Sequence, residues 1–282
     1  MIREQQPAVS LFSIAMIAMG VLSVISRDFA YGWQPVPAFH PGREVLAVIC
    51  GLFMISASVA LLFRATAAIA ARAILPFLLA WMGLKVPTVI AAPRIEGVWI
   101  GFGEIGMLLA GGWVLFARLS GLEGNAFFRG ITGQKGIRMA QILFGLATVP
   151  VGLGHIFYLP ISSGLVPSWM PFRTELAFLT GVGQIACGLC ILFSFFPRIA
   201  ALVETALLAL FAFFVWGPDT WFAATPKMSG TPPGPRFPLT AFLITWVIGA
   251  AALLVANNSP TVGLGSFLLR PTRNRQADPA RQ

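Results

Sequence analysis

The residues best suited to chemistry in this sequence lie on either side of one Pro-rich connection. His155 ends an apolar segment, and Arg173, Glu175 and Gln184 follow in the next apolar segment. An imidazole in this position can donate a hydrogen bond to a carbonyl group, bind haem or transfer a proton. These residue types permit a ligand site lined by all four, in which His155 and Gln184 would donate hydrogen bonds to a carbonyl group and Arg173 would set the local electrostatic field. The alternative is an interfacial histidine that is bonded only to its own loop.

Four further ionisable residues fall inside apolar segments, where a charge at the bilayer centre costs at least about 2.5–3.5 kcal/mol. Lys85 and Glu104 lie near one end of neighbouring segments, whereas Arg72 and Glu204 lie near the other end of two more distant ones. We expect each combination to form an ion pair that holds helices together. The alternative is that Glu104 and Glu204 act as proton-coupling or cation sites.

Cys187 and Cys190 form a Cys-Gly-Leu-Cys sequence well inside an apolar segment. A redox pair of this spacing usually lies at a helix N-terminus, where the thiolate is stabilised. Together with Gly183 and Ala186, these cysteines follow the spacing of close helix packing, which is the favoured interpretation; redox activity is the alternative. Since His40 is the only other histidine, the sequence predicts no metal site, because catalytic metals normally use three protein ligands.

The elements that must position these residues are membrane-spanning helices. Apolar residues make up 57% of the 282 residues, charged residues make up 10%, and the mean hydropathy is +0.83. This excludes a water-soluble domain of ordinary composition. Because a span needs about 20 apolar residues, the sequence predicts an all-α, polytopic transmembrane helical bundle with about eight spans, near 8–26, 44–63, 67–86, 98–117, 137–157, 174–195, 198–216 and 238–256.

The two halves of the chain share a pattern. Residues 130 positions apart are identical at many places, among them Pro37/Pro167, Pro41/Pro171, Arg43/Arg173 and Gly51/Gly181. Such a fixed period indicates a tandem duplication. We therefore predict two parallel four-helix repeats, over residues 1–120 and 137–258, with a cytoplasmic linker over 121–136 and a basic cytoplasmic tail over 259–282.

The charge of +9 follows membrane topology. With eight spans, the termini share one side with the second, fourth and sixth connections, and that side carries twelve of the 19 Lys and Arg residues. The positive-inside rule then predicts an inner (cytoplasmic) membrane protein with both termini in the cytoplasm. The expected partner of the basic tail is the lipid bilayer, since its charges suit anionic lipid; no nucleic-acid binding is predicted.

The second half resembles the DoxX-like family of bacterial integral membrane proteins. The resemblance is carried by His155, Pro160, Val166-Pro167, Trp169, Pro171, Thr180-Gly181, Gly188-Leu189 and Arg198–Ala201. Members usually have Glu where this chain has Gln184. The resemblance implies a bacterial membrane subunit or accessory of a quinone- or thiol-linked oxidoreductase system, with an oxidoreductase partner and quinone as the expected ligand. No catalysis by the chain alone is expected. The alternatives are a small-solute carrier that uses Glu104 and Glu204, and a purely structural membrane protein.

Overall fold

The protein is all-helical in the computed structural model, which describes residues 6–30, 32–37, 39–218 and 236–260. These ranges contain no strand. The helices are α1 (Gln6–Ser26), α2 (Arg43–Leu62), α3 (Ala67–Ala91), α4 (Glu96–Leu119), α5 (Gly133–Phe157), α6 (Leu159–Leu165), α7 (Arg173–Phe193), α8 (Pro197–Leu210), a π-helical segment (Phe211–Trp216) and α9 (Arg236–Asn257).

Eight of these helical stretches, all except the short α6, are long and apolar enough to cross a membrane. The prediction of an all-α, polytopic bundle with about eight spans is therefore confirmed. We call the side with residues 27–42, 92–95 and 158–172 the long-loop face, and the side where α1 begins and α9 ends the terminal face. Most of the predicted 217–237 connection and the basic tail from residue 261 onward lie outside the described residues.

Helix α3 is longer than its predicted span of 67–86. It continues through Pro87 to Ala91, so the break expected at Pro87 is wrong. A proline ring clashes with the carbonyl group four residues earlier, which here belongs to Gly83. Gly83 has open space around its Cβ position, and glycine adjusts its backbone readily. The chain instead turns after α3, where Pro93 lies.

The centre of the bundle is formed by α4 and α9. In these two spans 78% and 72% of the residues are buried, compared with 28–44% in the other six. Helix α4 packs against α3, α5 and α9, while α9 also packs against α1 and α8. The two halves of the chain therefore meet along this central pair, and the other spans turn much of their surface toward lipid.

Glycines bring the outer helices into close contact in both halves. An ideal Cβ on Gly20 of α1 would lie 2.6 Å from the carbonyl oxygen of Gly51 in α2, and one on Gly152 of α5 would lie 2.8 Å from that of Gly181 in α7. Backbones approach this closely where small residues line a transmembrane interface. Gly51 and Gly181 are one of the pairs 130 residues apart, so the two crossings support the duplication, which remains a prediction.

The first half has a core filled with aromatic rings. Trp33, from the loop between α1 and α2, is only 1% exposed, and its indole N–H donates to the sulfur of Met19 at 3.1 Å. Its ring meets those of Trp81 and Phe77 edge to face, at 6.2 and 6.4 Å between centroids. This arrangement is favourable for aromatic pairs, so Trp33 anchors the loop against these helices.

Candidate functional site

A cavity of about 590 Å³ lies between the helices of the second half and α4 of the first half. Its walls come from α4, α5, α7, α8, the π-helical segment and α9, and its lining extends to the 158–172 segment at the long-loop face. Most of the lining is apolar. The polar or ionisable side chains that reach it are Glu104, His155, Tyr158, Ser162, Thr180, Gln184 and Thr245. We call this space the central cavity.

Gln184, which lines the central cavity, forms a buried polar pair with Glu204, which does not line it. The amide nitrogen of Gln184 donates to Oε1 of Glu204 at 3.0 Å, and neither residue is measurably exposed. The other oxygen of each side chain, Oε1 of Gln184 and Oε2 of Glu204, has no hydrogen-bond partner among the described residues. Buried polar atoms nearly always have a partner, so Oε1 of Gln184, the lining residue of the two, can accept a hydrogen bond from a molecule bound in the cavity.

His155 lies in the last turn of α5 and lines the same cavity. Its Cβ is 2.8 Å from the position that a Cβ on Gly181 would take, one turn of α7 before Gln184. The imidazole stacks on Phe211, with 5.2 Å between ring centroids and 26° between planes. Within the described ranges we find no hydrogen bond from this ring to its own loop, so the ring nitrogens are free to meet a ligand.

The π-helical segment Phe211–Trp216 was not predicted. It replaces the last turns of the seventh span and supplies Phe211, Phe214, Val215 and Trp216 to the cavity lining. π-Helical turns are rare and often occur at functional sites. The sequence carries no signal for it, because a run of Phe and Ala fits an ordinary apolar span equally well.

Arg173 and Glu175, predicted as site residues, do not line the central cavity. Arg173 donates to the carbonyl oxygens of Val166 and Gly164, at 3.0 and 2.9 Å, and so holds the loop before α7. Glu175 is exposed. It lies nine residues from Gln184, which is about 180° around a helix with 3.6 residues per turn. Only His155 and Gln184 of the four predicted residues meet in one site.

The predicted ion pair between Lys85 and Glu104 is absent from the salt bridges of the described residues. The ammonium group of Lys85 donates instead to the backbone carbonyl of Gly32. Glu104 lines both the central cavity and a second space of about 750 Å³, which is also lined by Lys85, Asp28 and other charged residues. We call this second space the charged chamber. Lys85 and Glu104 therefore interact through their charges without a direct salt bridge, because the loop carbonyl of Gly32 lies within reach of the Lys85 ammonium group.

The predicted pair between Arg72 and Glu204 is wrong. The guanidinium group of Arg72 donates from Nε to the carbonyl oxygen of Ser120 at 2.8 Å, and also from Nη2. Ser120 caps the C-terminus of α4, where carbonyl groups lack helical partners and the helix dipole favours a cation. Glu204 takes its hydrogen bond from Gln184 instead.

The cysteines remain outside the candidate site. Cys187 is buried and Cys190 is partly buried, both are free thiols, and neither lines the central cavity. No group of three His, Cys, Asp or Glu side chains in the described ranges is placed to hold a metal ion. The packing interpretation of the cysteines and their redox alternative both remain predictions.

The first half has no counterpart of the polar pair. In the 130-residue register, Gln184 corresponds to Met54 and Glu204 to Ile74, and both of these apolar residues are 1% exposed. In the same register, Phe211 corresponds to Trp81. Under the predicted duplication, the first half therefore packs with apolar residues at the positions of the polar pair. This asymmetry marks the second half as the place of the candidate site.

None of the known protein families, curated proteins or solved structures with which the chain was compared matches it.

Proposed function

We propose that this protein binds a quinone-type molecule in the central cavity and serves as a membrane subunit or accessory of an oxidoreductase system. The observation that carries the proposal is Gln184, which lines a mostly apolar cavity and whose Oε1 has no hydrogen-bond partner among the described residues, while its amide nitrogen donates to Glu204. Leaving such an atom buried without a partner costs about 1–3 kcal/mol. A ligand that donates to it removes this cost, whereas an apolar lipid chain does not.

The size and chemistry of the central cavity suit a ring with polar substituents. Its volume of about 590 Å³ lies within the range of about 300–1,000 Å³ typical of small-molecule sites. Phe211 and His155 offer aromatic surface for stacking, and His155 can donate to or accept from a ring oxygen. Because Oε1 of Gln184 is an acceptor, the hydroxyl groups of the reduced quinol fit better than the carbonyl groups of the oxidised quinone.

The oxidoreductase setting is supported by the sequence resemblance to DoxX-like proteins. The residues that carry it include His155, Pro167 and Pro171, and they border the cavity and the loop beside it. The chain is then two fused DoxX-like four-helix repeats in a bacterial inner membrane, with both termini in the cytoplasm. The partner would hold the electron-transfer chemistry, and this chain would hold the quinol.

Mass spectrometry of the detergent-extracted protein tests this function. The parent chain is expected to copurify with a quinone or quinol and with an oxidoreductase subunit, whereas a His155→Ala/Gln184→Ala double variant loses the small molecule. A Glu175→Gln variant is the matched control, because Glu175 is exposed and does not line the cavity. If parent and variant carry the same bulk lipid and no redox partner, the proposal is wrong.

A small-solute carrier is the second candidate, and one observation favours it. Glu104 lines both the charged chamber and the central cavity, so it is placed between a polar space and an apolar one. A transported solute or proton would pass this carboxyl group. The carrier would be supported if Glu104→Gln lost uptake at normal expression while Glu44→Gln retained it. Unchanged uptake in both variants would exclude the carrier.

A further inference from the structure

A separate groove runs along the lipid-facing side of α5, between α4 and α7. Its volume is about 900 Å³, and apart from a polar end it is lined by apolar residues, including Phe102, Leu143, Leu146, Leu153, Leu189 and Leu192. Leu143 and Phe157, at the two ends of the lining, are 14 positions apart on α5, or about 21 Å at 1.5 Å per residue. This exceeds the half-thickness of about 15 Å of the hydrocarbon layer, so the groove accommodates a long, extended chain.

The polar end of the groove lies at the long-loop face and contains Arg94, Glu96 and Tyr158. Both carboxylate oxygens of Glu96 are buried, and neither has a hydrogen-bond partner in the described part of the chain. Arg94 is exposed and is absent from the described ion pairs. A cation and an anion therefore lie two residues apart without neutralising each other.

The surrounding backbone holds these two residues at the membrane surface. The indole N–H of Trp99 donates to the carbonyl oxygen of Pro93 at 2.9 Å, and the backbone N–H of Gly97 donates to the hydroxyl oxygen of Tyr158 at 3.0 Å. These bonds fix the turn on both sides of Arg94 and Glu96. Trp and Tyr side chains are enriched at the level of lipid head groups, which places the polar end where a head group would lie.

We propose that this groove binds a zwitterionic phospholipid with a primary ammonium head group, of the phosphatidylethanolamine type. The ammonium group would neutralise Glu96, the phosphate would meet Arg94, and one acyl chain would lie along α5. Each partner matches an unneutralised charge of the protein. An anionic phospholipid such as phosphatidylglycerol could satisfy Arg94 but would leave the Glu96 carboxylate buried without a counter-charge, which is costly near the membrane.

Native mass spectrometry of the purified full chain in nanodiscs with equal amounts of phosphatidylethanolamine and phosphatidylglycerol tests this site. The parent is expected to retain phosphatidylethanolamine with an enrichment of about tenfold, which one charge-assisted hydrogen bond can supply. Glu96→Gln should reduce the enrichment to less than about twofold. Glu44→Gln, which changes an exposed first-turn carboxylate at the same face, should leave it intact.

The parent protein alone can overturn the proposal, whether or not any variant folds. It would do so if the retained lipid had the same composition as the nanodisc, or if phosphatidylglycerol were preferred. Enrichment that persists in Glu96→Gln would also overturn it. Replacing Arg94 by Gln is expected to weaken retention of both lipids, because both carry the phosphate. The outcome is independent of the quinol proposal, since none of the residues changed here lines the central cavity.

Discussion

The Gln184–Glu204 pair can be replaced by the residues that the first half uses at the same positions. In Gln184→Met, Glu204 loses its only hydrogen bond; in Glu204→Ile, the amide nitrogen of Gln184 loses its acceptor. A buried polar group left without a partner costs about 1–3 kcal/mol. Each single variant is therefore expected to be destabilised by about that amount.

The double variant Gln184→Met/Glu204→Ile should behave differently. Replacing both partners of a buried polar pair by apolar residues of similar shape is often nearly neutral. The two single effects sum to about 2–6 kcal/mol, yet we expect the double variant to be within about 1 kcal/mol of the parent. In the predicted duplication, Met54 and Ile74 of the first half correspond to Gln184 and Glu204. Both are packed in the interior, since each is 1% exposed.

Equilibrium unfolding of the four proteins in detergent measures these differences as a double-mutant cycle. For a chain of this size, each kcal/mol corresponds to a shift of the melting temperature of about 2–4 °C. The double variant should melt close to the parent and fail to bind quinol. If the double variant is destabilised by the sum of the two single effects, the polar pair stabilises the fold. The apolar residues at the corresponding positions of the first half would then not be a guide to the second half.

Three further outcomes are expected. Gly152→Ala should be destabilised by about 1–3 kcal/mol, because the new Cβ would lie 2.8 Å from a carbonyl oxygen of α7. Gly183→Ala, whose new Cβ would make an ordinary contact with Leu207 at 3.7 Å, should unfold like the parent in the same detergent assay. Arg138→Gln should lower the melting temperature, because the guanidinium group of Arg138 donates to two carbonyl oxygens at the end of α7, at 3.1 and 2.6 Å. An unchanged melting temperature would show that water replaces these hydrogen bonds. Cys187→Ala/Cys190→Ala should bind quinol as the parent does, since neither thiol lines the central cavity; a loss of binding measured by copurification would show that the cysteines contribute to the site.

The span positions could be predicted because the length of an apolar run is a local property of the sequence. Residues 198–216, for example, were expected to span, and the structure has a helix and its π-helical extension over Pro197–Trp216. Contacts over long sequence distances were not predictable in this way. Arg72 binds Ser120, 48 residues away, because the C-terminus of α4 ends beside α3, and hydropathy carries no information about that neighbour.

The candidate site was predicted in part. His155 and Gln184 do line one cavity, but the sequence did not indicate that Glu204 is the partner of Gln184. A signal existed: the two residues lie at similar distances from the tight turn at 194–196 that joins α7 to α8, so antiparallel packing places them at one depth. The π-helical segment that positions Phe211 against His155 has no such signal.

Calorimetric titration of the purified protein with a short-chain quinol and with its oxidised quinone tests the central claim most directly. The parent is expected to bind one quinol per chain, more tightly than the quinone, and the Gln184→Met/Glu204→Ile variant should show no saturable binding at an unchanged melting temperature. Equal binding of quinol and quinone by the parent would contradict the role of the free Gln184 oxygen. Undiminished binding by the variant would show that the ligand site lies elsewhere.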